Sequence, residues 1–175
     1  MNIGITNKLN IDNIDEIIKT YKDSLDEMDV NISSSNAIDL FKKLKRTKIN
    51  KGPYIGISLF ESANRIMTDL VILYGIKDLL IGKYKHINFP EYLVEYGNEN
   101  KNNYDIVANF NGKKLVGEAF NVSPSFFQSK KYISLKKLRK NKESNIILLM
   151  YNKDAVDENY VPKLKSNEYH VKVEI

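Results

Sequence analysis

Apolar residues recur at helical spacing over 13–29, with Ile14, Ile17, Ile18, Tyr21, Leu25 and Met28 on one face, and predict an acidic amphipathic helix. Ser33-Ser34-Ser35 offers an N-cap for a second helix, about 36–46, that buries Ile38, Phe41 and Leu44. Lys51-Gly52-Pro53 breaks the chain. Ser58-Leu59-Phe60-Glu61 has capping-box spacing and opens a long helix to about Leu80. Its stripe of Leu59, Ala63, Ile66, Met67, Leu70, Leu73 and Tyr74 marks it as the central helix. Residues 91–97 read as a strand and 98–103 as a loop. Tyr104 to Phe110 is rich in β-formers and closes on Asn111-Gly112, the strongest short hairpin signal, so Lys114 to Val122 returns as the partner strand. Ser123-Pro124 or Ser125 starts a basic helix ending near Lys140. The apolar run 145–151 (NIILLMY) reads as a strand buried on both faces. Residues 169–175 alternate, with Val171, Val173 and Ile175 on one face, as a final strand.

This order predicts an α/β (α+β) fold, a central mixed sheet of four to five strands flanked by helices, with an extra N-terminal helical region. Its 175 residues suit one domain: N-terminal helices over 1–50, a core over 56–151 and a C-terminal extension with a strand over 152–175. No 18-residue apolar run is present and no apolar segment follows Met1, so neither a membrane span nor a signal peptide is expected. The absence of cysteine excludes disulfides and thiolate metal sites and fits a cytoplasmic protein. His86 and His170 are far apart, which argues against zinc and histidine-triad chemistry.

Charge is uneven along the chain. Residues 1–30 hold three lysines and seven acids. Residues 42–51 hold six bases, Lys45 and Arg46 among them, and no acid. Residues 126–145 hold seven bases, including Lys130, Lys137 and Lys140, against Glu143 alone. Two basic clusters on a chain of net charge +5 suggest phosphate contacts, the alternative being lysines that only solvate helix faces.

The hairpin carries the candidate chemistry. Glu118 lies amid Val116, Ala119 and Phe120 on an inner strand, where an acid is costly unless compensated. Asp105 across the hairpin is a like charge, and a divalent cation between the two is the simplest remedy. With oxygen ligands only, that cation is Mg²⁺ or Mn²⁺.

The order of helix, strand, hairpin strands, helix and strand over 56–151 resembles the restriction-endonuclease-like PD-(D/E)xK nuclease core. Asp105 matches the acid that opens that family's second strand, and Glu118 the acid on its third. The text from Gly117 to Asp154 looks like the third strand, helix and fourth strand of BamHI-type restriction enzymes. The family's lysine, two residues after the second acid, is Phe120 here. Some members supply that lysine from the following helix. Lys131 falls between Phe127 and Leu135 on the core-facing stripe and is the candidate, snorkelling past the stripe's edge being the alternative. Lys130 and Lys137 are expected towards solvent as phosphate contacts. Gln128 and Tyr132 resemble the Gln-x-x-x-Tyr motif of RecB-type members, or form a capping box with Ser125 and pack. Glu61 either completes the metal shell, as an early helical Glu does in the family, or caps Ser58.

The resemblance implies a Mg-dependent endodeoxyribonuclease. Asp105 and Glu118 would hold the metal, Lys131 would orient the water, and Lys45, Arg46, Lys130, Lys137 and Lys140 would hold the DNA backbone. Cutting both strands would take a homodimer. The alternative is a non-catalytic nucleic-acid-binding or assembly module on the same fold, because of Phe120.

Overall fold

The computed structural model describes residues 3–29, 32–97 and 102–175. Along them run β1 (Lys8–Asn10), α1 (Ile14–Asp26), α2 (Ala37–Arg46), α3 (Leu59–Leu80), β2 (Glu91–Val94), β3 (Ile106–Phe110), β4 (Lys113–Phe120), α4 (Pro124–Leu138), β5 (Ile146–Asn152) and β6 (Glu168–Val173). The strands form one mixed sheet in sequence order. Neighbours from β1 to β4 are antiparallel, and β5 runs parallel to both β4 and β6.

Six strands exceed the four to five expected. The extra one, β1, lies in the segment read as purely helical and pairs with β2 from Lys8↔Leu93 to Asn10↔Glu91. Three residues are too few for alternation to show. The last strand is an integral edge of the sheet, with Leu149 beside His170. The expected loop at 98–103 lies, for 98–101, outside the described residues.

Each face of the sheet has its own core. Leu115 and Ala119 of β4 join Ile72, Leu73, Ile76, Leu148, Met150 and Val173 beneath α1 and α3. Val116 and Phe120 join Phe127, Leu135, Leu138, Leu149 and Tyr151 beneath α4. Alternation along β4 therefore puts Glu118, between Val116 and Phe120, on the α4 face.

The hairpin turn is as expected. Asn111 and Gly112 have φ of 48° and 74°, the two left-handed conformations of a two-residue turn, and Phe110 pairs with Lys113. Nothing lies within 4 Å of where a Cβ on Gly112 would stand. Gly112→Ala is thus expected to cost about 1 kcal/mol from backbone conformation alone. Urea denaturation measures it, and an unchanged midpoint would contradict the turn geometry.

Two helices differ from expectation. α2 buries none of its residues: Ile38 and Phe41 are 67% and 62% exposed, and Leu44 is half-buried. It leans on α3, outside both cores. The inward face of α3 is also rotated from the predicted stripe. Ile66 and Leu73 are buried, Ala63 is exposed, and Ser62, Asp69, Ile72 and Ile76 line the interior. The helix is apolar nearly all round, so its contacts choose the face. Asp69 accepts hydrogen bonds from Tyr21 Oη, Tyr54 Oη and the Gly97 amide. Gly97 (φ 79°) is pressed against the Tyr54 ring, where a Cβ would stand 2.8 Å from its nearest atoms. No helix among the described residues is long and apolar enough to cross a membrane.

Candidate functional site

Sheet register assembles the acids. Ile106 pairs with Gly117, so one step further along Asp105 stands across from Glu118. Val94 pairs with Ile106, so Glu95 stands across from Asp105 on the other side. Paired residues share a face, which places Glu95, Asp105 and Glu118 in one row across the α4 side of the sheet. Asp105 immediately precedes β3. Its carboxylate Oδ2 accepts the Ala119 amide at 2.9 Å, in effect extending the β3–β4 ladder with a side chain. Its backbone carbonyl accepts the Glu95 amide at 2.8 Å, and Glu95 Oε2 accepts the Asn102 amide at 2.6 Å.

Glu118 is 7% exposed. Lys137 Nζ stands 2.6 Å from its Oε1, an ion-pair contact that gives this buried oxygen its counter-ion. The same ammonium lies 5.7 Å from the centre of the Tyr104 ring, whose hydroxyl accepts from Asn141 Nδ2 at 3.1 Å. Lys130 Nζ lies 5.9 Å from the centre of the Phe120 ring. Phe120, which stands where the resembled family has its lysine, is a core aromatic 6.0 Å from Tyr151 and 6.2 Å from Phe127. The positive charge absent at Phe120 stands instead on two turns of α4, at Lys130 and Lys137, since residues seven apart share a flank of a helix.

Lys131 is not part of this group. It lies on the sheet side of α4 but leans to the opposite flank, over the Phe127 and Tyr160 rings, and its ammonium donates to Tyr160 Oη at 3.1 Å. A step of one residue is about 100° of helix. That rotation separates Lys130, beside the acids, from Lys131, above β6. Ser134 was the overlooked signal. It is buried with Phe127 and Leu138, so the contact stripe is centred nearer the Lys130–Lys137 flank than the apolar residues alone imply.

Glu61 does not join the acids either. Its amide donates to Ser58 Oγ at 3.2 Å and its carboxylate pairs with Arg65 at 2.8 Å on an exposed turn. Among the described residues no group of three or more His, Asp or Glu side chains has metal-binding spacing. Gln128 and Tyr132 are on the outer face of α4, Tyr132 65% exposed beneath Lys136, and the N-cap of α4 is Ser123, not Ser125. Lys140 is exposed just beyond α4. Lys45 and Arg46 are exposed on α2, which leans on α3 in the layer across the sheet from α4, and Lys45 Nζ lies 5.3 Å from the Phe60 ring centre. The two basic clusters therefore belong to different layers. A hollow of about 460 Å³ lined by Met67, Asn121, Asp157 and Lys172 lies away from the acid pair.

Burial first, then the charge of Asp105, push the Glu118 carboxyl up to about 7 against the pull of Lys137. Asp105 is also raised, by burial, against the Ala119 amide and Lys137. The folded chain thus holds the Glu118 proton more tightly than the unfolded chain, whose ordinary value is 4.5. Its stabilising contribution is complete below that value and is lost as pH climbs to about 7. Glu118→Gln is expected to flatten this fall in stability. Denaturation midpoints at about pH 5 and about pH 8 check it, and equal slopes in the two proteins would contradict it.

The chain matches no family model, no curated protein and no solved structure.

Proposed function

We infer that the chain is a Mg²⁺- or Mn²⁺-dependent endonuclease that hydrolyses DNA phosphodiester bonds on a restriction-endonuclease-like core. The observation that carries this reading is the pairing of Asp105 with Glu118 across the hairpin, with Lys137 Nζ 2.6 Å from Glu118. The donor set fits a hard cation, because it consists of carboxylate oxygens on facing strands and Asp105 has one oxygen outside its bond to Ala119. Two carboxylates are enough for Mg²⁺, which keeps several waters and takes its remaining ligands from phosphate. When bound, the ion would lower the pKa of a water and offset charge on the phosphate.

The chain's own groups do the rest. Asp105 and Glu118 hold the ion, and the Ala119 amide fixes the Asp105 carboxylate. Lys137 moves from Glu118 to a non-bridging phosphate oxygen or to the attacking water, the role that the resemblance gives to Lys131. Lys130 and Lys140 hold the neighbouring backbone without reading sequence. Cutting both strands takes two copies of the site, hence a homodimer on DNA.

A second reading has its own observation. Lys137 already neutralises Glu118, and Phe120 is locked into the aromatic core, so the same surface also suits a non-catalytic nucleic-acid-binding module. Nicking of supercoiled DNA with Mg²⁺ or Mn²⁺ separates the two. Wild type is expected to cut and Asp105→Asn to bind without cutting. Salt-sensitive binding with no cleavage by wild type over varied sequences would decide for the binding module.

A further inference from the structure

The geometry points to a second site, a pocket for a single phosphate-type oxyanion between α4, β6 and residues 160–163. It occupies the flank of α4 opposite the acid pair and is independent of whether that pair hydrolyses DNA. The pocket has a volume of about 210 Å³ and is lined by Lys131, Leu135, Tyr160, Val161, Lys163 and His170, none of them acidic. That is smaller than the roughly 300 Å³ at which small-molecule sites begin. It suits a phosphate group rather than a whole nucleotide.

Its polar groups lack partners that an oxyanion would supply. Both ring nitrogens of His170 are buried without a hydrogen bond, and the Tyr151 ring meets the imidazole edge-on at 5.7 Å from behind. A neutral imidazole has one N–H and one lone pair to satisfy, and leaving both unpaired in the interior is costly. Lys131 is held by Tyr160 Oη and two aromatic faces, with no carboxylate in ion-pair contact among the described residues. An oxyanion here would receive Lys131 Nζ, Tyr160 Oη and a His170 N–H together, with Lys163 at the exposed rim.

The surroundings of His170 link binding to protonation. Lys131 faces it from α4, Arg139 from just beyond that helix, Tyr151 from β5, Tyr160 and Lys163 from the covering segment, and Glu168 from its own strand. Arg139 grips Glu168 at 2.6 and 2.9 Å, which leaves little negative charge over for the imidazole. Burial, then Lys131, hold His170 down to about 4. A bound phosphate offsets the Lys131 charge and accepts from the ring, so it should raise that value.

The test is an NMR titration of the intact protein with inorganic phosphate, read at the two histidines. His170 is expected to shift saturably, with its pKa raised, while His86 stays still. Lys131→Met keeps the stem over Phe127 and Tyr160, and is expected to bind phosphate about tenfold more weakly or worse. An unchanged amide spectrum for that variant certifies its fold. An unmoved His170, equal movement of both histidines, or a variant that titrates like wild type would overturn the site. Parallel titrations with an oligonucleotide, with and without a 5′-phosphate, identify the source. Saturation by only the phosphorylated strand marks a nucleic-acid end, by both strands an internal backbone phosphate, and by free phosphate alone a small ligand.

Discussion

Glu118→Gln is expected to abolish DNA cleavage, a loss of about a hundredfold or more, and to remove any Mg²⁺-dependent rise in thermal midpoint. A ligand that binds only the folded chain raises its stability by mass action, so a site centred on Glu118 must lose that gain along with the charge. The metal-free variant should be at least as stable as wild type near pH 8, because the substitution removes a buried charge facing Asp105. The partner left behind, Lys137, has a side chain 43% exposed and can hydrate. A variant that cuts normally, or keeps the full metal response, would remove Glu118 from the site. The same assay ranks the lysines. Lys137→Met should lose turnover, because its ammonium is the one against Glu118. Lys140→Met should lose only affinity, lowering the salt slope by about one.

Asp69→Ala should be the most destabilising single change, about 3 kcal/mol or more. Asp69 is fully buried and satisfies donors from three separate segments: Tyr21 on α1, Tyr54 ahead of α3, and Gly97 after β2. Alanine removes the acceptor that these three buried donors share. Asp69→Asn should cost less, since its carbonyl oxygen can still accept. Guanidinium denaturation gives both values. A loss under about 1 kcal/mol for alanine would mean the network is not what holds α1 and the 97 turn to α3.

Where the chemistry was local, the chain was legible. Asn111-Gly112 dictated the hairpin because few residues besides Asn and Gly adopt two successive left-handed conformations. The run 145–151 declared a strand covered on both faces, and β5 has a core on each side. The face-to-face placement of Asp105 and Glu118 follows from that same hairpin once its turn is known. The two elements the chain did not give away, β1 and the setting of α2, depend on a distant partner. β1 exists because β2 offers it an edge, and its three residues carry no period of their own. α2 has a clear apolar face that nothing covers, since amphipathicity states what a helix could bury and not whether a neighbour is there.

Lys131 and Lys137 show the boundary most closely. Helical spacing alone ranks Lys131 as the more inward of the two, and the fold honours that by laying its stem over Phe127 and Tyr160. Which acid or hydroxyl each ammonium meets depends on how α4 is rotated and where it crosses the sheet. Those are set by Ser134, Phe127 and Leu138 packing on β4 and β5, and by residues 160–163 closing over β6. Backbone preference and alternation act between neighbours in the chain and so can be read there. The rotation of a helix on a sheet is a sum over contacts between remote segments, and only the assembled molecule contains them.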